Sequence, residues 1–214
     1  MTQVISRQQI IDGAARLFGE LGYDGTPLQM IADALGVSTS TIVNVVGDKR
    51  TLYIEVMRQA YEVEREALES AVSRAGTGRA AVHEIADAYL DFHVAHRYNR
   101  ALWAHRWVAD AADVSGLEER YARPLFALVG SKIRDMVPKD VGTYYLLGTM
   151  VWCVHGFLGS GLFHRSKGVW TADDPEAVES FRNHLHVLMD RLLAPAPGDR
   201  LDADADDDPA ARPR

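Results

Sequence analysis

The sequence is poor in the features that mark disulfide-stabilised and membrane-spanning proteins. Its 214 residues include one cysteine, Cys153, which excludes an internal disulfide and a thiolate zinc cluster. No uncharged apolar stretch reaches the roughly 18 residues that a membrane-spanning helix needs. The N-terminus (1–7) lacks a basic segment followed by an apolar core, so no signal peptide is expected. These absences favour a cytoplasmic protein with no membrane partner.

Basic residues are also scarce, at 23 against 30 acidic residues, and the net charge is −7. Part of the excess lies in the C-terminal segment 194–214, where six aspartates accompany three arginines. That segment is rich in proline and alanine and cannot bury a core, so we predict a disordered acidic tail. Because the negative charge is concentrated there, the net charge alone does not exclude a nucleic-acid partner.

What the sequence does contain is long stretches of alanine, leucine, valine and glutamate with helical spacing. Apolar residues recur at intervals of three and four, whereas no strand-like alternation of useful length is present. We therefore predict an all-α fold of about nine helices. The predicted helices cover about 6–21, 27–34, 39–46, 48–75, 79–97, 99–112, 116–136, 140–165 and 174–193.

The first three predicted helices have the plan of a helix-turn-helix unit. Two short helices are joined by the turn 35–37, which contains Gly36, and a longer helix precedes them. In this plan the second short helix lies in the major groove of DNA. Ile42 and either Val45 or Val46 are expected to face inward, so that hydroxyl and amide side chains face bases and phosphates. A compact three-helix packing unit without a DNA partner is the alternative.

We expect Thr26 to cap the second helix, with Pro27 as its first residue, and the amides there to bind a phosphate. Lys49 and Arg50 begin the fourth helix, where they are placed to meet another phosphate. The predicted DNA contacts are Thr26, Ser38, Thr39, Ser40, Thr41, Asn44, Lys49 and Arg50.

The residues of this segment resemble the DNA-binding signature of the TetR family of bacterial transcription regulators. The resemblance runs without a gap through Ile11, Ala14, Ala15, Phe18, Gly22, Tyr23, Thr26, Ile31, Ala32, Gly36, Val37, Ser38, Thr41, Ile42, Lys49 and Leu52. It implies a DNA-binding head over residues 1–52 and a helical effector-binding and dimerisation domain over 53–193. It also implies a homodimeric repressor that a small ligand releases from a pseudo-palindromic operator.

Several positions depart from the family's pattern. The family commonly has a tyrosine at the position of Val43, where the phenol meets a phosphate, and aromatic residues at Val45 and Val46. Residues 1–50 hold four basic side chains against five acidic ones. Since phosphate neutralisation supplies nonspecific affinity, we expect weak nonspecific binding with a shallow salt dependence. A dimeric ligand-binding protein that binds DNA only weakly is the alternative.

Aromatic residues with a few polar atoms cluster on the middle predicted helices, as in a mostly apolar ligand cavity. The predicted contacts to a small-molecule effector are Tyr89, Phe92, His93, Trp103, Trp107, Tyr121, Phe126, Trp152 and His155. For any one of them, an ordinary place in the core is the alternative.

The last two predicted helices carry apolar stripes that suit a four-helix interface across a two-fold axis. The predicted dimer contacts are Gly156, Gly159, Phe163, Phe181, Leu185 and Leu188. Completion of the monomer core is the alternative for both helices.

The histidines allow two further hypotheses, neither of which a motif supports. His93 and His96 have a spacing that places both on one helix face, where His105 or His155 would be a third metal ligand. His83, Asp87 and Asp91 are spaced four residues apart, as a helical proton relay would be. No carboxylate or cysteine stands at a recognised ligand spacing from His93 and His96, so we predict no metal or cofactor. Neither a nucleophile nor a phosphate-binding glycine loop is present, so we predict no catalytic site.

Overall fold

The computed structural model describes residues 5–166 and 168–194. Apart from Ala194, the acidic tail predicted to be disordered lies outside the described residues. In the described ranges the chain forms nine α-helices and one two-stranded sheet, which confirms the predicted all-α class. The helices are α1 (Arg7–Leu21), α2 (Leu28–Leu35), α3 (Thr39–Val46), α4 (Lys49–Arg74), α5 (Gly78–Ala95), α6 (Arg97–Trp107), α7 (Arg123–Ile133), α8 (Thr143–Ser160) and α9 (Pro175–Leu192).

The N-terminal residues of the helices explain most of these bounds. Ser6 and Gln9 form a reciprocal capping box at the start of α1, and the Asp48 carboxylate accepts a hydrogen bond from the Thr51 amide at 2.8 Å. The predicted cap of α2 is wrong, because Pro27 and not Thr26 occupies that position. Thr26 is fully buried, and its hydroxyl donates to the carbonyl of Gly22 at 2.6 Å. Thr26 therefore provides a hydrogen-bond donor for a carbonyl at the C-terminal end of α1 and does not cap the N-terminus of α2.

The predicted helix 140–165 is too long at its C-terminal end. α8 stops at Ser160, and β1 (Leu162–His164) then pairs antiparallel with β2 (Gly168–Trp170). Gly161 has a φ of +70°, and a Cβ atom there would lie 2.6 Å from a backbone oxygen of Trp170. A glycine at this position therefore ends the helix and admits the hairpin.

Two other predicted helices are interrupted. α6 ends at Trp107, and the following segment contains two alanines with positive φ, Ala109 at 69° and Ala111 at 54°. The predicted helix 116–136 begins as a π-helical turn, Glu118–Ala122, continues as α7 and ends in a 3-10 turn, Arg134–Met136. Pro124 lies in the first turn of α7, where proline requires no donor.

The buried apolar residues form two clusters, and the predicted boundary at residue 52 does not separate them. The first cluster joins α1–α3 and the first half of α4 to Leu102 and Trp103 of α6 and to the segment 111–121. The second joins the rest of α4 to α5, α7, α8 and α9. α4 therefore crosses both clusters, and α6 packs on the helix-turn-helix head. None of the described helices has the combination of length and apolarity needed to cross a membrane.

Candidate functional site

The third helix presents a mixed polar and apolar outer face. Ile42 and Val46 are buried, whereas Val45 is exposed, so Val46 is the residue that anchors α3 inward. Ser40, Val43 and Asn44 are also exposed. The predicted contact residues Ser40 and Asn44 thus lie on an accessible surface of the described fold.

The hydroxyl groups at the start of α3 bind one another. The Ser38 hydroxyl oxygen accepts a hydrogen bond from the Thr41 amide at 3.1 Å, and lies 2.8 Å from the hydroxyls of both Ser40 and Thr41. Thr39 and Thr41 are half-buried. This network fixes the orientation of the hydroxyls at the N-terminus of α3, which is the end that reads bases in a helix-turn-helix protein.

The two basic residues at the start of α4 both contact other parts of the chain. The Lys49 ammonium lies 4.1 Å from the centroid of the Tyr23 ring, a cation–π geometry. Arg50 Nη1 donates to the carbonyl of Asp113 at 3.1 Å. Arg50 therefore ties the head to the segment after α6, which the sequence pattern did not indicate.

A second contact joins the same two regions. The Asp110 carboxylate accepts hydrogen bonds from the backbone amides of Tyr23 and Asp24, at 2.7 and 2.8 Å. Arg106 holds the segment from the other side, because it donates to the carbonyls of Asp110 and Ala111. It also pairs with Glu118 at 2.6 Å, and this contact lowers the pKa of that carboxyl.

A cavity of about 360 Å³ lies among α4, α5, α6, α7 and α8. This volume is within the usual range for small-molecule sites. Six of the nine predicted effector contacts line it: Tyr89, Trp103, Trp107, Phe126, Trp152 and His155. The sequence pattern missed Glu64, Tyr144 and Tyr145, which also line it.

The other three predicted effector contacts do not line the cavity. The Phe92 ring stacks on His96 at 4.3 Å, and the Tyr121 ring packs against Tyr61 at 5.3 Å. His93 is fully buried behind the cavity wall, with its ring 4.4 Å from Tyr89 and 4.7 Å from His155. Direct ligand contact by these three side chains is therefore wrong for this conformation, since each is covered by its own neighbours.

A cluster of polar side chains lies at one wall of the cavity. The Tyr89 hydroxyl and His155 Nε2 are 3.0 Å apart and share a hydrogen bond. Glu64 Oε1 lies 3.5 Å from His93 Nε2, which is longer than a good hydrogen bond. Within the described residues, both ring nitrogens of His93 and Nδ1 of His155 lack a hydrogen-bond partner.

Burial controls the protonation of this wall. Desolvation, with smaller contributions from His93 and Arg100, lowers the pKa of His155 to about 3. The same cause raises the pKa of Tyr89 well above its ordinary value, and the Glu64 charge adds to that shift. At neutral pH the cavity therefore presents a neutral imidazole and a neutral phenol.

The predicted dimer contacts fall into different environments. Gly156 and Gly159 are exposed on α8, whereas Phe163 is exposed on the hairpin instead of continuing the helix. Phe181 and Leu185 are 5% and 1% exposed inside the monomer core, so direct interface contact by them is wrong. The Phe181 ring stacks on Phe157 at 4.2 Å, because α9 turns its apolar stripe toward α8 and α5. Leu188 is half-buried beside them.

The residues of the hypothetical proton relay belong to an ion-pair network between α5 and α9. His83 Nε2 lies 3.0 Å from Asp190 Oδ1, and Asp87 Oδ1 lies 2.7 Å from His186 Nε2. Asp91 pairs with Arg182 at 2.6 Å. The geometry gives each of these groups a polar partner on α9, and none of them lines the cavity among α4–α8.

Two of the histidines considered as metal ligands have ring nitrogens within hydrogen-bond distance of backbone carbonyls. His96 Nδ1 is 2.9 Å from the carbonyl of Phe92, and His105 Nε2 is 3.1 Å from that of Gly19. Across residues 5–166 and 168–194, no group of three or more histidine, cysteine or acidic side chains is arranged to hold a metal ion.

Residues 10–56 match the family model of bacterial regulatory proteins of the tetR family. The HTH-type transcriptional repressor AcnR of Corynebacterium efficiens is 39% identical over 56 residues, which are 26% of this chain and 30% of AcnR. The chain thus matches less than a third of that relative. The HTH-type transcriptional repressor Rv1474c of Mycobacterium tuberculosis is 29% identical over 145 residues, 65% of this chain and 75% of that protein.

The fold also matches solved structures beyond the head. A TetR-family transcriptional regulator from Bordetella parapertussis superposes with a TM-score of 0.65 at 17% identity, covering 86% of this chain and 93% of that one. At this identity the similarity concerns the fold, and the matched head carries the family signature. Residues 10–56 therefore form a TetR-type N-terminal domain, and the overall architecture of the chain resembles that of solved TetR-family regulators.

Proposed function

We propose that the chain is a homodimeric transcriptional repressor that binds operator DNA and is released from it by a small, largely apolar ligand. The observation that carries this proposal is the exposed outer face of α3 on a helix-turn-helix head. Asn44 is exposed there, and its amide can pair with both polar groups of an adenine edge. Relatives described as transcriptional repressors match this head. A regulator of this kind works in the cytoplasm.

The proposed DNA contacts combine base and phosphate recognition. Thr39, Ser40 and Asn44 face the bases, and the Ser38–Thr41 hydroxyl pair holds the first turn of α3 in place. Lys49 meets a phosphate from its position over the Tyr23 ring. Thr26 has no direct part, because its hydroxyl is buried and its amide donates to the carbonyl of Tyr23 at 3.1 Å.

The proposed dimer forms through the outer face of α8. Tyr145 and Trp152 border the cavity and extend onto this face, where they are 75% and 65% exposed, a large apolar surface for a monomer. A Cβ atom at Gly156 or at Gly159 would meet no atom within 4 Å, so there is room for a second helix to approach. Pairing two heads lets each recognition helix read one half-site, about 34–36 Å apart.

The proposed release mechanism runs through α6. Trp103 and Trp107 of this helix line the cavity, and the segment after it binds the head through Asp110 and Asp113. A ligand that requires a different placement of the two tryptophans moves the end of α6 and, with it, the head. Release follows if the ligand binds the displaced state more tightly than the DNA-bound state.

The test is selection of bound fragments from genomic DNA with the full-length chain, followed by fluorescence anisotropy on the enriched sequence. We expect a pseudo-palindromic site, and we expect Thr41→Ala combined with Asn44→Ala to weaken binding to it by tenfold or more, about 1–3 kcal/mol. Asn183→Ala, an exposed asparagine on α9, is the matched control. Equal binding by the variant and the control, or the absence of any enriched sequence, would refute the proposal.

Two observations support a second candidate, a dimeric ligand-binding protein with weak DNA affinity. Val43 is 46% exposed on α3, where it offers no hydrogen bond to a phosphate. Residues 1–50 carry more acidic than basic side chains. For this candidate the same selection enriches no sequence, while the cavity still binds a ligand.

A further inference from the structure

We propose that the ligand cavity recognises an amine, a compact apolar molecule whose ammonium group pairs with Glu64. This inference rests on the proposed function, since it names the chemistry of the ligand for the effector cavity. It also makes a claim that does not depend on DNA, because binding of the amine is measured on the protein alone.

The first observation is a carboxylate in the cavity wall without a matching cation. Glu64 is 5% exposed on α4 and lines the cavity, and no lysine or arginine is among the lining residues. Arg100 donates to the backbone carbonyl of His93 at 3.4 Å and lies outside the lining. A buried carboxylate that lacks a cation is costly, and a cationic ligand group offsets that cost.

The second observation is the poor hydrogen bonding of the groups around Glu64. Its Oε1 atom lies 3.5 Å from His93 Nε2, and that nitrogen has no hydrogen-bond partner in the part of the chain that the structure describes. His155 Nδ1 also lacks a partner, although Nε2 of the same ring is bound to Tyr89. An ammonium group has three donors and no acceptor, which suits a wall that offers a carboxylate and a neutral imidazole.

The third observation is the aromatic character of the remaining wall. The rings of Tyr89, Trp103, Trp107, Phe126, Tyr145 and Trp152 line the same cavity as Glu64. Aromatic faces attract organic cations and at the same time bury apolar surface. An apolar amine satisfies both requirements, whereas a carboxylic acid or a phosphate-bearing ester places a second negative charge beside Glu64.

The test uses three ligands with one apolar body and different polar groups: 1-adamantylamine, 1-adamantanol and 1-adamantanecarboxylate. None absorbs where tryptophan is excited, so intrinsic fluorescence reports binding. Trp103, Trp107 and Trp152, three of the four tryptophans, line the cavity. We expect the amine to bind about tenfold or more tightly than either the alcohol or the carboxylate, the factor that a hydrogen bond to a charged group contributes.

Two variants of α4 locate the source of the preference. Glu64→Gln keeps the shape of the side chain, removes the charge, and is expected to bring the amine to within about threefold of the alcohol. Glu66→Gln removes the same charge from an exposed position two residues away, and is expected to leave the order unchanged. Thermal unfolding of both variants shows whether they are folded, and the wild-type series tests the proposal without them.

Three results would overturn this inference: a carboxylate that binds as tightly as the amine, a preference that survives Glu64→Gln, or no binding by any of the three ligands. If the amine binds as expected but genomic selection enriches no DNA, the inference holds and the repressor proposal fails. If DNA is enriched and the carboxylate is the better ligand, the repressor proposal holds and this inference fails.

Discussion

The carboxylate of Asp110, just beyond α6, accepts a hydrogen bond of 2.7 Å from the backbone amide of Tyr23 in the helix-turn-helix head. Its other oxygen accepts one from Asp24 at 2.8 Å. One side chain thus binds two consecutive amides of the α1–α2 loop. Since Trp107 lies three residues before Asp110 and lines the cavity, a short stretch of chain joins the cavity wall to this contact.

We expect Asp110→Ala to lower the free energy of unfolding by about 1–2 kcal/mol, because two backbone amides lose a charged acceptor. It should also make DNA affinity less sensitive to ligand. Urea unfolding and anisotropy with and without ligand measure the two effects. Asp113→Ala is the control, since Arg50 binds the backbone carbonyl of Asp113, which the substitution keeps. Equal losses in both variants would argue against a specific role for Asp110.

The segment that carries Asp110 is strained at Ala109, whose φ is 69°. A left-handed conformation costs a residue with a Cβ about 1–2 kcal/mol. Replacement by glycine removes this cost, but it also raises the conformational entropy of the unfolded chain, which cancels part of the gain. We therefore expect Ala109→Gly to stabilise the protein by up to about 1 kcal/mol in thermal unfolding. Ala104→Gly, an exposed site inside α6, should instead destabilise it by about 1 kcal/mol. If Ala109→Gly and Ala104→Gly both destabilise the protein, the backbone at Ala109 is not strained.

The buried imidazole of His155 predicts a loss of stability in mild acid. Its pKa falls from the ordinary 6.5 to about 3 in the folded chain, so below pH 6.5 only the unfolded chain takes up a proton there. Stability is therefore complete above pH 6.5 and is lost progressively as the pH falls toward 3, at about 1.4 kcal/mol per pH unit.

We expect the unfolding free energy of His155→Gln to depend less on pH than that of the wild type between pH 6.5 and 5. This window avoids Glu55, whose lowered pKa of about 2 makes it contribute only below about pH 4.5. His184→Gln, at an exposed position on α9, should follow the wild type. Parallel curves for wild type and His155→Gln would show that the ring titrates as it does in solvent.

On the recognition helix, Val43→Tyr should strengthen operator binding several-fold by supplying a phenol that can donate to a phosphate, worth about 1 kcal/mol. Val43 is exposed, so the larger ring has room. Val43→Phe adds the ring without the hydroxyl and is expected to gain less. If the two variants bind alike, the phenol has no phosphate partner.

The salt dependence of operator binding by the wild type should be shallow. Few basic side chains are available in the head, and Arg50 is already bound to Asp113. A plot of log affinity against log salt is therefore expected to have a slope well short of about −10, the value reached when many phosphates are neutralised. A slope near that value would show that phosphate contacts dominate despite the charge of the head.

The proposed dimer predicts that Gly156→Arg yields a monomer that is still folded. A side chain at this position meets no atom of its own chain within 4 Å, but it would occupy the space of a partner helix. Gly76→Arg, in the connection between α4 and α5 and also with open space around it, is the control. Analytical ultracentrifugation measures the outcome, and a dimer in both variants would place the interface elsewhere.

Regular helices were predictable because the spacing of buried residues, as in Ile10, Ala14 and Phe18, shows directly in the sequence. The hairpin was not, because Leu162 and Phe163 continue the apolar spacing of α8 and hide the break at Gly161. Dimer contacts were misplaced at Phe181 and Leu185, since periodicity shows that a face is apolar and not which partner covers it.

Of the cavity, the aromatic lining was predictable and its carboxylate was missed. Glu64 lies on the same face of α4 as the buried residues Met57, Ala60, Leu68 and Ala71. This spacing of three and four residues predicts that the Glu64 side chain is buried. Its charge alone suggested an exposed residue. The Asp110 contact left no sequence signal, because it joins backbone amides and depends on the conformation of an irregular segment.

The π-helical turn Glu118–Ala122 makes one wall of the cavity depend on chain length. A π turn accommodates one residue more than an α-helical turn, and Ala122, Leu125, Phe126 and Val129 line the cavity from its end onward. Deleting a single residue here would rotate α7 by about 100° about its axis. Such a deletion would turn this wall away from the cavity although every lining residue remains in the sequence. The rotation of α7 about its axis alone can therefore change which ligands the cavity binds.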